Sequence, residues 1–136
     1  MISYNYLRIF RISLLTALLF TNSLVFSQTK NLVSSKLTVA LRKPDKNLEW
    51  LDEGAEEVNI GITITKNCIE INSVKKQEYS LISVSKNTKD LKIWYCRDAE
   101  GILCNVYIIN PSETPLITYV VIEFEDVAWY YTCFEV

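Results

Sequence analysis

The sequence predicts an all-β fold: an antiparallel meander of about seven to eight strands, shaped as a small barrel or a sandwich, behind an N-terminal signal peptide helix. Three observations carry this reading. Apolar residues recur at every second position from Val58 onward, the period of a half-buried strand. Turn signals interrupt that alternation at regular spacing, as they do in sandwiches and barrels. No segment beyond the leader sustains a helical period.

The leader comes first. Arg8 and Arg11 form a positive n-region, an apolar stretch runs from Ile12 to Phe26, and Val25-Phe26-Ser27 places a cleavage point before Gln28. That is the layout of a secretory signal peptide, so residues 1–27 are expected to be removed and the product exported, periplasmic or secreted. The alternative, a membrane anchor, wants roughly 20 apolar residues, whereas Thr16, Thr21, Asn22 and Ser23 interrupt this run. No cysteine precedes Cys68, so a lipoprotein signal would lack its acceptor. Membrane contact is expected only in transit, through the leader.

Residues 28–35 are polar and read as a flexible N-terminal segment, leaving 36–136 as a single β-rich domain. Lys36 to Lys43 alternates Leu37, Val39 and Leu41 on one side, a first strand that Pro44 stops. Asp45 to Glu57 reads as a loop or short helical turn that tucks Trp50 against the core. Ile60, Ile62 and Ile64 then alternate, Lys66-Asn67 turns, and Ile69 and Ile71 resume the period, which pairs Ile64 with Ile69 and Ile62 with Ile71. Strands are expected over Tyr79–Ser85, Leu91–Arg97, Ile102–Asn110, Leu116–Glu125 and Val127–Val136. In Asp98-Ala99-Glu100-Gly101 a type I turn followed by a left-handed glycine sets Asp98 opposite Ile102 and Cys96 opposite Cys104. The loop Pro111 to Pro115 is expected to align Val106 with Val120. The inner face would then hold Ile62, Ile64, Ile69, Ile71, Val106, Ile108, Val120 and Ile122.

Composition narrows the chemistry. Removing residues 1–27 from 136 leaves 109 residues with 12 basic and 16 acidic groups, a net charge of −4. That length suits one core, and the charge gives no footprint for nucleic acid. Histidine is absent, which removes the commonest general base and metal ligand and rules out Ser–His or Cys–His nucleophiles within the chain. With no CxxC-like spacing either, neither metal nor cofactor is expected.

Three residue types remain. Four cysteines in a short exported domain point to disulfides; the turn register favours Cys96–Cys104, leaving Cys68–Cys133. Against the first pair, a hydrogen-bonded cross-strand pair stands at the wider of the two strand spacings. The alternative is free buried thiols packed as small apolar groups. Aromatic residues concentrate in the last four strands, and neighbours such as Trp94-Tyr95 and Tyr130-Tyr131 must face opposite sides. With Trp94 inside, Tyr95 and Tyr107 lie outside near Arg97 and Asn105, and with Tyr119 they make a candidate contact surface for a protein or carbohydrate partner. Ordinary cross-strand packing of aromatics would look the same in sequence. Asp98 and Glu100, and Glu123, Glu125 and Asp126, cluster at turns; paired carboxylates serve glycoside hydrolysis, but turn acids usually cap backbone.

The leader ending Val25-Phe26-Ser27-Gln28, the run from Ile62 through Asn72-Ser73 to Gln77-Glu78-Tyr79, and Trp94-Tyr95-Cys96-Arg97-Asp98 with Cys104 together resemble small exported β-meander proteins of Gram-negative bacteria. The resemblance implies no catalytic residue. The expected function is a non-enzymatic exported binding or interaction domain using its aromatic sheet face. The alternatives are a carrier with an apolar barrel cavity and, more remotely, a carboxylate-dependent hydrolase.

Overall fold

The computed structural model describes residues 29–42, 48–50 and 55–136, with side chains for all of these but 48–50. The leader, with its expected helix and cleavage point, and the side chain of Trp50 lie outside the described residues. The described strands are β1 (Lys30–Arg42), β2 (Leu48–Trp50), β3 (Glu56–Ile64), β4 (Cys68–Asn72), β5 (Gln77–Asn87), β6 (Leu91–Asp98), β7 (Leu103–Ile109), β8 (Ile117–Glu123) and β9 (Val127–Glu135). From β3 to β9 each strand pairs with the next, antiparallel, and β1 lies between β3 and β9 and pairs with both. Eight strands therefore close into a barrel, with the short β2 added beside the end of β1 at Ala40–Arg42. The sandwich alternative is excluded.

Closure depends on β1. Its register slips between Ser34, opposite Cys133, and Lys36, opposite Thr132, so one extra residue sits in β1 there. Such a bulge bends a strand and raises its twist, as a barrel wall requires. The buried Ser34 hydroxyl lies within reach of the Lys36 carbonyl (3.0 Å) and the Thr132 carbonyl (3.2 Å), so polar groups at the bulge are satisfied. The bulge also changes which residues face in: Leu32 and Ser34 before it, Leu37 after it. Of the segment 28–35, expected to be flexible, residues 30–35 instead form the start of β1. Its polar composition concealed an alternation in which only Leu32 and Ser34 needed to be buried. Leu41, expected beside Leu37 and Val39, is 45% exposed.

The isoleucine hairpin forms as its period dictates, with Ile62 opposite Ile71 and Ile64 opposite Ile69, closed by Thr65 N–H donating to the Cys68 carbonyl at 2.9 Å. The β6–β7 turn also matches. Gly101 has φ +87°, its N–H donates to the Asp98 carbonyl, and Cys96 stands opposite Cys104. One carboxylate oxygen of Asp98 accepts from the N–H groups of Glu100 (2.9 Å) and Ile102 (2.8 Å), which is the backbone-capping role of a turn acid. The β7–β8 register differs from expectation. Val106 pairs with Ile122 and Ile108 with Val120, a two-residue slip that leaves every side chain on its expected face. Two successive turns, Thr114 N–H to the Pro111 carbonyl and Ile117 N–H to the Thr114 carbonyl, lengthen the loop beyond its prolines.

All eight expected inner-face residues are buried, together with Leu32, Tyr79, Trp94, Cys96, Cys104, Tyr131 and Cys133. An apolar interior is the reverse of a membrane-spanning barrel, whose lumen is polar and whose outer band is apolar. Among the described residues, no helix is long and apolar enough to cross a membrane.

Candidate binding face and barrel mouths

The five expected contact residues share the outer wall. Strands β6, β7 and β8 alternate, with their even-numbered residues from 94 to 122 buried, apart from Asp98 at the turn, and odd-numbered ones facing out. Tyr95 lies opposite Asn105, and Asn105 opposite Glu123; one row along, Ile93, Tyr107, Val121 and Tyr130 follow one another across four strands. Tyr119 sits a further row along, beside Ile109 and Thr132. The structure thus brings Tyr95, Asn105 and Tyr107 together, with Arg97 at one end and Tyr119 at the other. Tyr130 and Glu123 complete the face, although sequence reasoning did not place them there.

Contacts within the face fix its side chains. The Tyr107 hydroxyl donates to Glu123 Oε1 at 3.2 Å, and Asn105 Nδ2 donates to the same oxygen at 3.5 Å. Burial, and then the neighbouring Glu123 carboxylate, pushes the Tyr107 phenol above its ordinary 10.0, while Arg42 pulls the other way. Tyr107 is therefore a neutral donor, not a base. Tyr119 and Tyr130 are in ring contact, with centroids 5.1 Å apart and planes tilted by 39°, a separation within the range of aromatic pairs. Tyr95 is the most exposed tyrosine of this face, at 36%. The outward positions of β6–β8 include one arginine and one glutamate and no lysine. By contrast, β4, β5 and the loop between them present Glu70, Lys76 and Glu78, with Lys76 3.5 Å from each carboxylate. The barrel has an aromatic side and a charged side.

The disulfide expectation is corrected. Cys68, Cys96, Cys104 and Cys133 are all free thiols. Asp98 N–H donates to the Ile102 carbonyl at 2.9 Å, so the Cys96–Cys104 pair two residues along is also of the wide, hydrogen-bonded type. Burial pushes Cys96 and Cys133 up to about 11 and Cys104 up to about 12, the neighbouring Cys96 adding to the last. These thiols behave as small apolar core groups. The support that disulfides would have lent to export is thereby withdrawn. Among the described residues no group of three or more Cys, Asp and Glu side chains could hold a metal ion.

The two ends of the barrel differ. At the end carrying the 98–101 turn, Tyr79, Phe124 and Trp129 pack in series, with ring centroids 6.4 and 5.7 Å apart. At the other end an open cleft of about 670 Å³ is lined by Lys30, Lys66, Lys92, Asn110 and Glu135 above Ile64, Trp94 and Ile108. Sequence reasoning missed this mouth. The available signal was parity: Lys92 shares the inner face with Trp94, and Lys30 with Leu32.

Comparison of the chain with protein-family models, curated proteins and solved structures finds no match.

Proposed function

We propose that the protein is an exported, non-enzymatic binding domain that takes a protein partner on the aromatic outer face of β6–β8. The observation that carries this reading is the two-sidedness of the wall. One side gathers Tyr95, Tyr107, Tyr119 and Arg97 without a lysine, and the other is charged. Interfaces are enriched in tyrosine and arginine and depleted in lysine and acids at their centre. A protein suits the face better than a carbohydrate. A sugar wants open ring faces, whereas Tyr119 packs at a tilt against Tyr130 and the Tyr107 hydroxyl is committed to Glu123. The candidate acids support binding rather than hydrolysis, since Asp98 is engaged by backbone N–H groups and Glu123 by Tyr107 and Asn105. Residues 1–27 support export by their signal-peptide layout.

The test compares capture from the producing organism's exported fraction by the wild-type protein, by Tyr95→Ala/Tyr107→Ala and by Lys76→Gln on the opposite wall. A partner lost with the tyrosine pair and kept with Lys76→Gln is the expected result. Capture that survives the tyrosine changes contradicts the assignment. A carrier of an apolar ligand within the lumen is less well supported, because Tyr79, Tyr131, Trp94 and the isoleucines fill that space.

A further inference from the structure

The mouth bearing the lysines is built unlike the rest of the barrel. The core below it is closed: its buried residues are at or below 3% exposed except Ile64 (8%) and Trp94 (7%), and Leu37, Ile60, Leu81, Phe124 and Trp129 pack partly buried against it. Ile64 and Trp94 both line this cleft, so apolar core surface meets solvent there. Around that floor, Lys30 and Lys92 occupy positions on the inward-facing side of their strands: Lys30 precedes the buried Leu32, and Lys92 pairs with the buried Ile108. Lys66 approaches from the β3–β4 turn. Three lysines and one glutamate, Glu135, thus line the cleft.

The lysines are not arranged only by chance of surface position. Asn110 Oδ1 accepts from the Thr118 hydroxyl at 2.9 Å and from Lys30 Nζ at 3.4 Å. Thr118 is itself buried, so a fixed hydroxyl orients the amide, and the amide holds the ammonium at the rim. An ammonium has three donors, and this bond uses one of them. The cleft volume of about 670 Å³ also falls in the range of small-molecule sites. The opposite mouth differs: Tyr79, Phe124 and Trp129 line a smaller cleft of about 260 Å³, where Lys75 and Lys76 are accompanied by Glu78, Asp98 and Glu100.

We propose that this mouth is a binding site for an anionic amphiphile: a carboxylate or phosphate head held by Lys30, Lys66 and Lys92, with an apolar body lying on Ile64, Trp94 and Ile108. The head would draw charge-assisted hydrogen bonds, which are about twice as strong as neutral ones. The body would cover the part of the core that remains open. The filled lumen keeps the ligand at the rim, so a chain or ring of modest length is required rather than a long acyl tail. This site lies apart from the aromatic wall and stands or falls independently of the protein-partner reading.

The experiment is calorimetric titration of the purified protein, expressed from its whole sequence, with decanoate, decyl phosphate, decanol, decyltrimethylammonium and inorganic phosphate, each below its aggregation threshold. Decanoate and decyl phosphate are expected to bind with one-to-one stoichiometry, and decanol, decyltrimethylammonium and inorganic phosphate each about tenfold more weakly or not at all. Preference between decanoate and decyl phosphate names the source of the head group. Lys30→Gln/Lys92→Gln is expected to weaken decanoate by about tenfold or more, since one charge-assisted hydrogen bond alone is worth about that factor, while leaving decanol unchanged. Amide shifts on binding are expected at Ile64 and Ile108 and not at Tyr95 or Tyr107. Equal affinity for all the decyl compounds, equal binding of inorganic phosphate, or an unchanged affinity in the lysine variant overturns the proposal. Should that double variant fail to fold, Lys66→Gln and the salt dependence of decanoate binding to the wild type decide the same point, with salt-independent binding counting against it.

Discussion

Alkylation of the thiols puts the packing of the barrel to a quantitative test. Cys96, Cys104 and Cys133 project into the core and are at most 3% exposed, whereas Cys68 is half-buried beside the β3–β4 turn. The thiolate is the reacting species. A thiol titrating at about 12 in place of 9.0 carries about a thousandth of the ordinary thiolate population near pH 8, and one at about 11 about a hundredth. Steric shielding lowers the rates further. The Cys68 thiol is also pushed up, by burial and then by the Glu70 and Glu78 carboxylates, but its side chain reaches solvent. Iodoacetamide at pH 8 is therefore expected to add its first label at Cys68, and the other three only on the timescale of unfolding. After denaturation without reductant, mass spectrometry should count four labels. Four equal rates in the native protein would refute the inward placement of Cys96, Cys104 and Cys133. Fewer than four labels after denaturation would show that disulfides form and that the thiol assignment is wrong.

Further expectations concern the backbone, the core and pH. Gly101→Ala places a side chain at φ +87° and should cost about 1–2 kcal/mol, read as a lower denaturation midpoint. Gly61→Ala is the control, because its added carbon would meet Asn72 at an ordinary 3.6 Å and a strand interior gains about 0.5–1 kcal/mol from alanine. Ile69→Ala, at a fully buried position opposite Ile64, should lose about 2–5 kcal/mol by urea denaturation, and a loss well below that range would mean the core is loosely packed. Thermal stability should fall as pH rises above 9. Below that pH the three core thiols are protonated in both states, so their contribution is complete. Between 9.0 and about 11–12 only the unfolded chain ionises them, and each can remove up to about 1.4 kcal/mol per pH unit over that window. A melting temperature that is flat from pH 8 to 11 would contradict their burial.

Much of the fold was legible because strand periodicity is a strict code. Ile62, Ile64, Ile69 and Ile71 can share a face in only one register across a two-residue turn, and Asp98 to Gly101 carries its own turn chemistry. Register through the Pro111–Pro115 loop was misread because prolines mark a turn without fixing how many residues leave the ladder, and a slip of two preserves every face. The first half of β1 was misread for a different reason. Its polar residues face out or sit at a bulge, and the need for a strand there arises from the unpaired edges of β3 and β9, which are far away in sequence. Barrel closure is likewise a long-range fact that alternation alone does not encode. On the site side, opposite facing of Trp94 and Tyr95 followed from the pleat, so the aromatic wall was readable. The lysine mouth was not, because Lys30, Lys66 and Lys92 converge only after β1 has closed the barrel.

Both proposed surfaces depend on that closure, and nuclear Overhauser contacts between β1 and β9 measure it most directly. The structure predicts backbone contacts between Leu37 and Tyr131, Val39 and Trp129, and Ser34 and Cys133, together with contacts from Leu32 to Ile62 on the other side of β1. Slow amide exchange along Lys30–Arg42 should accompany them, since a strand paired on both sides protects its N–H groups. Absence of the β1–β9 contacts, with rapidly exchanging amides on both strands, would show an open sheet and contradict the account.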